Sequence, residues 1–341
     1  MQGVVFTGNR NVEVRTFPDP EPGPGEVVVR VRASGMCGTD LHVYRGPTPD
    51  DLESLVIQGH EPCGEIAAVG AGVDERMACV GQRVMIHHYW GCGTCGECRS
   101  GWPQLCSRME PRIASANEHG GHAEFMRVPA IQTMPLPDPL SFKAGAALGC
   151  GTGTAWGTIV RLGDIAGRDL VVMGQGPVGA SATLFASALG ARVIAVDIAA
   201  PRLDRASRLG AHAVINAASV DVAQAVRELT GGRGAELAME TSGNAAAVRH
   251  AIDGLATWGK LCLIGVGADV AFNTRDTLTK QLTVLTSWTL STPELIRCAS
   301  FAVDKKLPID DLFSHGWSLQ EAAEAYQWFD QQRDGKGVFE F

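Results

Sequence analysis

Apolar positions along the chain follow three rhythms. In the first third, short apolar runs sit between Gly and Pro: Glu26-Val-Val-Val-Arg-Val-Arg32, which alternates in part, Gly64-Glu-Ile-Ala-Ala-Val-Gly70 and Gln82-Arg-Val-Met-Ile86. Runs of this length and bounding predict strands. The middle changes period. Asp169-Leu-Val-Val-Met173 is a continuous apolar run of buried-strand type, followed by a Gly-rich turn and a helix-compatible stretch to Leu189. Gly190 stops that helix, and a strand is expected over Ala191–Val196. Helices are expected over Leu203–Leu209, Val222–Leu229 and Ala245–Leu255, with strands over Ala235–Glu240 and Lys260–Gly265. Alternating strands and helices predict an α/β architecture: a parallel sheet covered by helices on both faces. The tail is mixed again, with a helix predicted over Leu319–Phe329 and a last strand over Gly337–Phe341.

The turn inside this pattern has its own chemistry. Gly174-Gln-Gly176-Pro177-Val178-Gly179 fits G-x-G-x-x-G, follows a strand, opens a helix and precedes Asp197 at the end of the next strand. A dinucleotide site needs that context: a tight turn at Gly174, close backbone approach to a pyrophosphate at Gly176, and helix–strand contact at Gly179. The helix N-terminus would face the phosphates with free N–H groups. Asp197 would accept the ribose hydroxyls and repel a 2′-phosphate, favouring NAD over NADP, although Arg202 lies close by in sequence.

Cys92-x2-Cys95-x2-Cys98-x7-Cys106 lies in a Gly-punctuated stretch with no apolar period. Four thiolates this close can converge tetrahedrally on one structural Zn²⁺ with no open coordination position. The alternatives are disulfides or unconnected thiols. Disulfides need an oxidising compartment, and the N-terminal MQGVVFTGNRNVEV does not resemble a secretory signal, so a reducing cytoplasm is expected. Cys63, Cys79, Cys262 and Cys298 read as plain packing residues.

With 341 residues the chain can bury about two cores. A net charge of −8 argues against nucleic acid or an anionic membrane as the main partner. The uncharged stretch Ala144–Val160 contains Gly145, Gly149, Gly151, Gly153 and Gly157, a poor composition for a membrane-spanning helix.

Cys37-Gly-Thr39-Asp40-Leu-His42, Gly59-His60-Glu61 and Gly149-Cys150-Gly151 add metal-ligand side chains far apart in sequence. Together with the four-Cys lobe and the nucleotide fingerprint, and in the same order, they resemble the zinc-dependent medium-chain alcohol dehydrogenases over nearly the whole chain. The resemblance implies a GroES-like β-rich catalytic domain (1–150 and 294–341) and a Rossmann doubly wound parallel-sheet domain (151–293). It implies a catalytic zinc on Cys37, His60 and Cys150, the Cys₂His arrangement with one open position, giving two zinc ions per chain. Glu61 would stand behind the metal or ligate it occasionally, and Asp40 would orient His60. Thr39 would touch the substrate oxygen and His42 would end a proton relay. Lys336 is expected near the coenzyme phosphates, with Val266 and Trp288 on the nicotinamide side. Tyr44, His88, Tyr89, Trp90 and Trp288 are candidate pocket residues, or else packing aromatics. The implied activity is NAD-linked interconversion of an alcohol with an aldehyde or ketone. Polyol and threonine dehydrogenases tend to have Glu where this chain has Cys150, which favours the alcohol branch. A polyol or amino-alcohol dehydrogenase, or a non-catalytic NAD-binding protein, are the rivals. A homotetramer is expected, a dimer being the runner-up.

Overall fold

The computed structural model describes residues 1–341 and divides the chain into two compact units. One comprises Met1–Gly153, Ser291–Gln332 and Lys336–Phe341; the other comprises Thr154–Leu290 and Arg333–Gly335. No helix is long and apolar enough to cross a membrane.

The first unit is built on a seven-stranded sheet. Phe313–Trp317, Lys336–Glu340, Glu26–Gly35, Glu61–Val69, Arg83–Ile86 and Thr133–Pro135 lie side by side, and Phe125–Pro129 pairs with Glu26–Gly35. Alternate valines of Glu26–Gly35 (Val27, Val29, Val31) point into a core shared with Ile66, Val84, Ile86, Met126 and Val128, as a period of two requires. Gln2–Gly8 and Asn11–Thr16 form a separate antiparallel hairpin. The predicted tail helix begins as a 3₁₀ turn, Leu319–Glu321, under a Ser318/Glu321 capping box and continues as Ala322–Asp330.

The second unit is the parallel sheet expected from the alternating pattern. Its strand order is Ala213–Asn216, Arg192–Asp197, Asp169–Met173, Ala235–Glu240, Leu255–Leu263, Thr283–Thr286, all parallel. Chain order reverses on either side of Asp169–Met173, which places a topological switch point at the carboxyl end of that strand. The largest boundary difference falls on one strand and the helix before it. The strand predicted at Lys260–Gly265 runs from Leu255 to Leu263, with a register shift in its early part and Trp258 at φ +65°. The helix predicted through Leu255 therefore stops at Gly254.

The three longest helices outside the predicted set are Phe142–Leu148, Gly151–Leu162 and Thr292–Asp304. The first two occupy the Gly-rich stretch judged poor for a membrane span. Those glycines serve close packing: a Cβ on Gly145 would strike Cys63 Sγ, and one on Gly157 would strike the Thr289 carbonyl.

Candidate active site

Sheet register explains how distant residues meet. Glu26–Gly35 and Glu61–Val69 are antiparallel with Gly35 opposite Glu61, so Cys37, just past one strand, emerges beside His60, just before the other. Gly59 carries φ +87°, a left-handed turn that glycine makes without a Cβ penalty. Cys150 sits between helices Phe142–Leu148 and Gly151–Leu162. One ligand atom from each of Cys37, His60, Glu61 and Cys150 lies within 4.8 Å of the others, and all four residues are buried.

Each member is held in place. Asp40, which opens helix Asp40–Arg45, accepts the Cys37 N–H at 2.9 Å on Oδ2 and faces His60 Nδ1 at 3.0 Å with Oδ1. Asp40 therefore keeps a proton on His60 Nδ1, so that Nε2 is the nitrogen left to meet a metal. Glu61 Oε1 accepts the Gly151 N–H at 3.3 Å, next to Cys150. Glu61 Oε2 forms an ion pair with Lys336, whose ammonium also donates to the Met36 carbonyl at 2.8 Å. Gly35 leaves room for that pair, because a Cβ there would strike Glu61 Oε2.

The buried members perturb one another strongly. Hydrogen bonding between the two sulfurs lowers Cys37 well below the usual thiol range and raises Cys150 well above it. Burial opposes charge on His60, yet Asp40 and Cys37 outweigh it and raise the imidazole. Burial pushes Glu61 up to about 7, with the Lys336 charge pulling the other way. Two sulfurs and one tautomer-fixed imidazole, buried together, suit tetrahedral Zn²⁺, whose charge would let both sulfurs ionise.

Thr39 and His42 stand on the exposed side. Thr39 Oγ1 is 3.7 Å from Cys37 Sγ, and the His42 N–H donates to the Thr39 carbonyl, one turn along the same short helix. His88 is buried next to His60, with ring centroids 4.9 Å apart, and its Nδ1 lies 3.2 Å from the Gly149 carbonyl. Tyr89 packs on His88. Other pocket candidates lie elsewhere. Tyr44 is core, packed on Phe6 and Tyr326, and Trp90 is core beneath Arg112.

Lys336 corrects an expectation. It is 1 % exposed and committed to Glu61 and Met36, so it has no free ammonium for a coenzyme phosphate. Burying a lysine demands a fixed counter-charge, and Glu61 supplies it. Sequence reading also missed Ser34, His122 and Tyr326, which lie behind Asp40. The one available signal was the Gly120-Gly121 pair, where a Cβ on Gly120 would strike the Gly59 carbonyl.

Cys92, Cys95, Cys98 and Cys106 likewise place their sulfurs within 4.8 Å of one another, and all ten cysteines are free of disulfides. Backbone N–H groups of Thr94 and Cys95 donate to Cys92 Sγ, and that of Cys92 donates to Cys106 Sγ, at 3.3–3.4 Å. Hydrogen bonds from Thr94, side chain then backbone, pull the Cys92 thiol down to about 5, a thiolate ready for metal. Gly91 is obligatory here, since a Cβ would lie 2.5 Å from Cys98 Sγ.

In the second unit, Gly174 has φ +85°, and a Cβ on Gly179 would strike the Gly174 carbonyl. Helix Pro177–Ala188 has no side-chain cap, so its first N–H groups point into the turn and fit an anion. Asp197 accepts the N–H of Gln175 at 2.6 Å, of Ile198 at 2.7 Å and of Ala199 at 2.9 Å. Arg202 approaches Asp197 to 3.7 Å and donates to the Asp334 carbonyl. Val266 and Trp288 are exposed, at 75 % and 51 %.

Comparison with known proteins agrees with this geometry. Residues 23–138 match the model for the alcohol dehydrogenase GroES-like domain, and residues 177–303 match that for zinc-binding dehydrogenases. The chain is 36% identical over 353 residues to an uncharacterized zinc-type alcohol dehydrogenase-like protein of Escherichia coli (strain K12), covering 100% of this chain and 99% of the relative. It is 33% identical over 272 residues to sorbitol dehydrogenase of Bacillus subtilis (strain 168), covering 78% and 75%. A solved NAD-dependent alcohol dehydrogenase superposes with a TM-score of 0.90 at 32% identity, each chain covered completely.

Proposed function

The chain belongs to the zinc-dependent medium-chain alcohol dehydrogenases, and on that premise we propose that it moves a hydride between a small alcohol and NAD, yielding an aldehyde or ketone. The observation that carries this reading is the buried meeting of Cys37, His60, Glu61 and Cys150 within 4.8 Å. Cys37, His60 and Cys150 would hold the catalytic zinc, and Cys92, Cys95, Cys98 and Cys106 a structural one, giving two ions per chain.

When bound, the catalytic zinc supplies Lewis-acid polarisation of the substrate oxygen, of the kind that lowers the pKa of water from about 16 to about 7, and the nicotinamide supplies the hydride acceptor. The protein does the rest. Asp40 holds His60 in one tautomer, and Glu61 with Lys336 closes the inner side of the site. Thr39, at the exposed rim, would accept the proton of the substrate hydroxyl while releasing its own, and His42, one turn on, would carry the released proton to water. On the coenzyme side, the uncapped helix at Pro177 receives the pyrophosphate through the Gly174–Gly179 turn. Asp197 meets the ribose hydroxyls. Because Arg202 is engaged by Asp197 and Asp334, it is poorly placed to host a 2′-phosphate, which supports NAD over NADP.

A polyol or amino-alcohol substrate is the second reading, favoured by the likeness to sorbitol dehydrogenase and by the buried polar His88 beside His60. Ten free cysteines suit a reducing cytoplasm. We place the chain in a homotetramer, or failing that a dimer. The edge strand Thr283–Thr286, with exposed Val284 and nearby exposed Leu278, supports contact with a second copy. The test of function is a panel of alkyl alcohols, polyols and amino alcohols with NAD reduction followed at saturating coenzyme. Turnover of at least one class is expected, and turnover of none would refute the assignment.

A further inference from the structure

Behind Asp40 the first unit buries a line of polar side chains that the chemistry above does not use. The Tyr326 hydroxyl donates to Asp40 Oδ2 at 3.1 Å. A phenol has one proton, so its oxygen must accept from His122 Nε2, 2.7 Å away. His122 Nδ1 is then the lone-pair nitrogen and accepts from Ser34 Oγ at 2.7 Å. Every proton in the line points toward the carboxylate. Ser34, His122 and Tyr326 have no measurable exposure, and Asp40 has 3 %. Burial holds the His122 imidazole down to about 4, so it stays neutral and can play both roles.

Packing fixes the line rigidly. The Tyr326 ring lies edge-on to Phe6 at 4.6 Å, and the His122 ring edge-on to Phe339 at 4.7 Å. The His122 N–H donates to the Gln58 carbonyl at 2.8 Å and the Gly121 N–H to the Gly59 carbonyl at 2.7 Å, which fastens His122 to the segment that delivers His60. A Cβ on Gly59 would strike the His122 ring, so that glycine is matched to the histidine. With the Cys37 N–H and the Tyr326 hydroxyl both on Oδ2, only Oδ1 remains for His60 Nδ1.

We propose that Tyr326 and His122, with Ser34 as terminal donor, are positioning residues for the catalytic metal: they lock the Asp40 carboxylate and, through it, aim His60 Nε2 at the ion. They touch neither substrate nor coenzyme. The proposal rests on the reading of Cys37, His60 and Cys150 as zinc ligands, and its test separates the two.

Zinc release from the purified holoenzyme into the chelating dye 4-(2-pyridylazo)resorcinol should proceed in two phases, with the four-Cys lobe as the internal control. Tyr326→Phe should accelerate the catalytic-site phase roughly tenfold, in line with the loss expected for an outer hydrogen-bond partner, and leave the lobe phase unchanged. It should also shift the visible absorption bands of the cobalt-substituted site. His122→Gln, which keeps an N–H donor for Tyr326, should stay within about twofold of wild type. If Tyr326→Phe fails to fold, Ser34→Ala takes its place, with an acceleration of about two- to threefold expected. Release at the wild-type rate in the folded variant would overturn the proposal. A single phase in the wild type, with one zinc per chain, would overturn the metal-site reading and the proposal with it.

Discussion

Cys92, Cys95, Cys98 and Cys106 come from one loop and are mostly half-exposed, whereas Cys37, His60, Glu61 and Cys150 come from three separate stretches and are fully buried. The loop sulfurs are held by backbone N–H groups of their own turn, so nearly all the information for that site is local. The buried site depends on sheet register, on a helix junction and on carboxylates that orient its members. On the proposed reading, the first arrangement would saturate a zinc ion with protein ligands and serve only to brace a loop. The second, with Cys37, His60 and Cys150 as the proposed ligands and Glu61 tied to Lys336 beside them, would leave a coordination position for substrate. On this reading local clustering marks the structural site, and dispersion marks the reactive one.

Removing a ligand from each site breaks the comparison most severely. Cys37→Ser should reduce turnover by about a thousandfold or more, since several kcal/mol of metal stabilisation are lost at about 1.4 kcal/mol per tenfold, while NAD affinity measured by fluorescence titration stays within a few-fold. Cys92→Ser should do the reverse. Its Tm should fall on the order of 10 °C by calorimetry, for a loss of about 3 kcal/mol, with turnover per folded molecule little changed. Equal losses of activity in both variants would erase the distinction.

The next effect concerns acid. His122 sits at about 4 because burial removes its hydration, against an ordinary 6.5. The unfolded chain takes up this proton as pH falls through 6.5, the native state only near 4. Stability is therefore fully present above pH 6.5 and is lost on the way down, by on the order of 3 kcal/mol for this group. Urea unfolding of His122→Gln should show a flatter slope between pH 6.5 and 4 than wild type. An unchanged slope would remove His122 as the cause. A smaller effect is expected at the coenzyme. Asp197→Asn should shift the NAD/NADP preference roughly tenfold toward NADP, the value of one charged hydrogen bond, read from kcat/KM with each coenzyme.

Legibility in the sequence followed the same division. Asp169–Met173, Val222–Leu229 and Ala235–Glu240 are found where the apolar runs place them, because buried parallel strands and their flanking helices write their pattern locally. The Gly-rich helices 142–148 and 151–162 were hidden, since their glycines answer to neighbours such as Cys63 and Thr289 that no local pattern reveals. Cys37, His60 and Cys150 are named through family resemblance; spacing alone cannot join them, because the Gly35–Glu61 register brings Cys37 to His60 and a helix junction delivers Cys150. Lys336 was misplaced for the same reason. A basic residue near the tail reads as an exposed phosphate ligand until the sheet is seen to bury it against Glu61. His122 and Tyr326 act only through residues that act through others, and no sequence motif announces such a role.

The most direct test is the zinc content of the purified protein, by atomic emission, in wild type and in Cys150→Ser side by side. The account predicts two ions per chain in the wild type and one in the variant, the survivor being that of the four-Cys loop. One ion in the wild type, or two retained in Cys150→Ser, would contradict it.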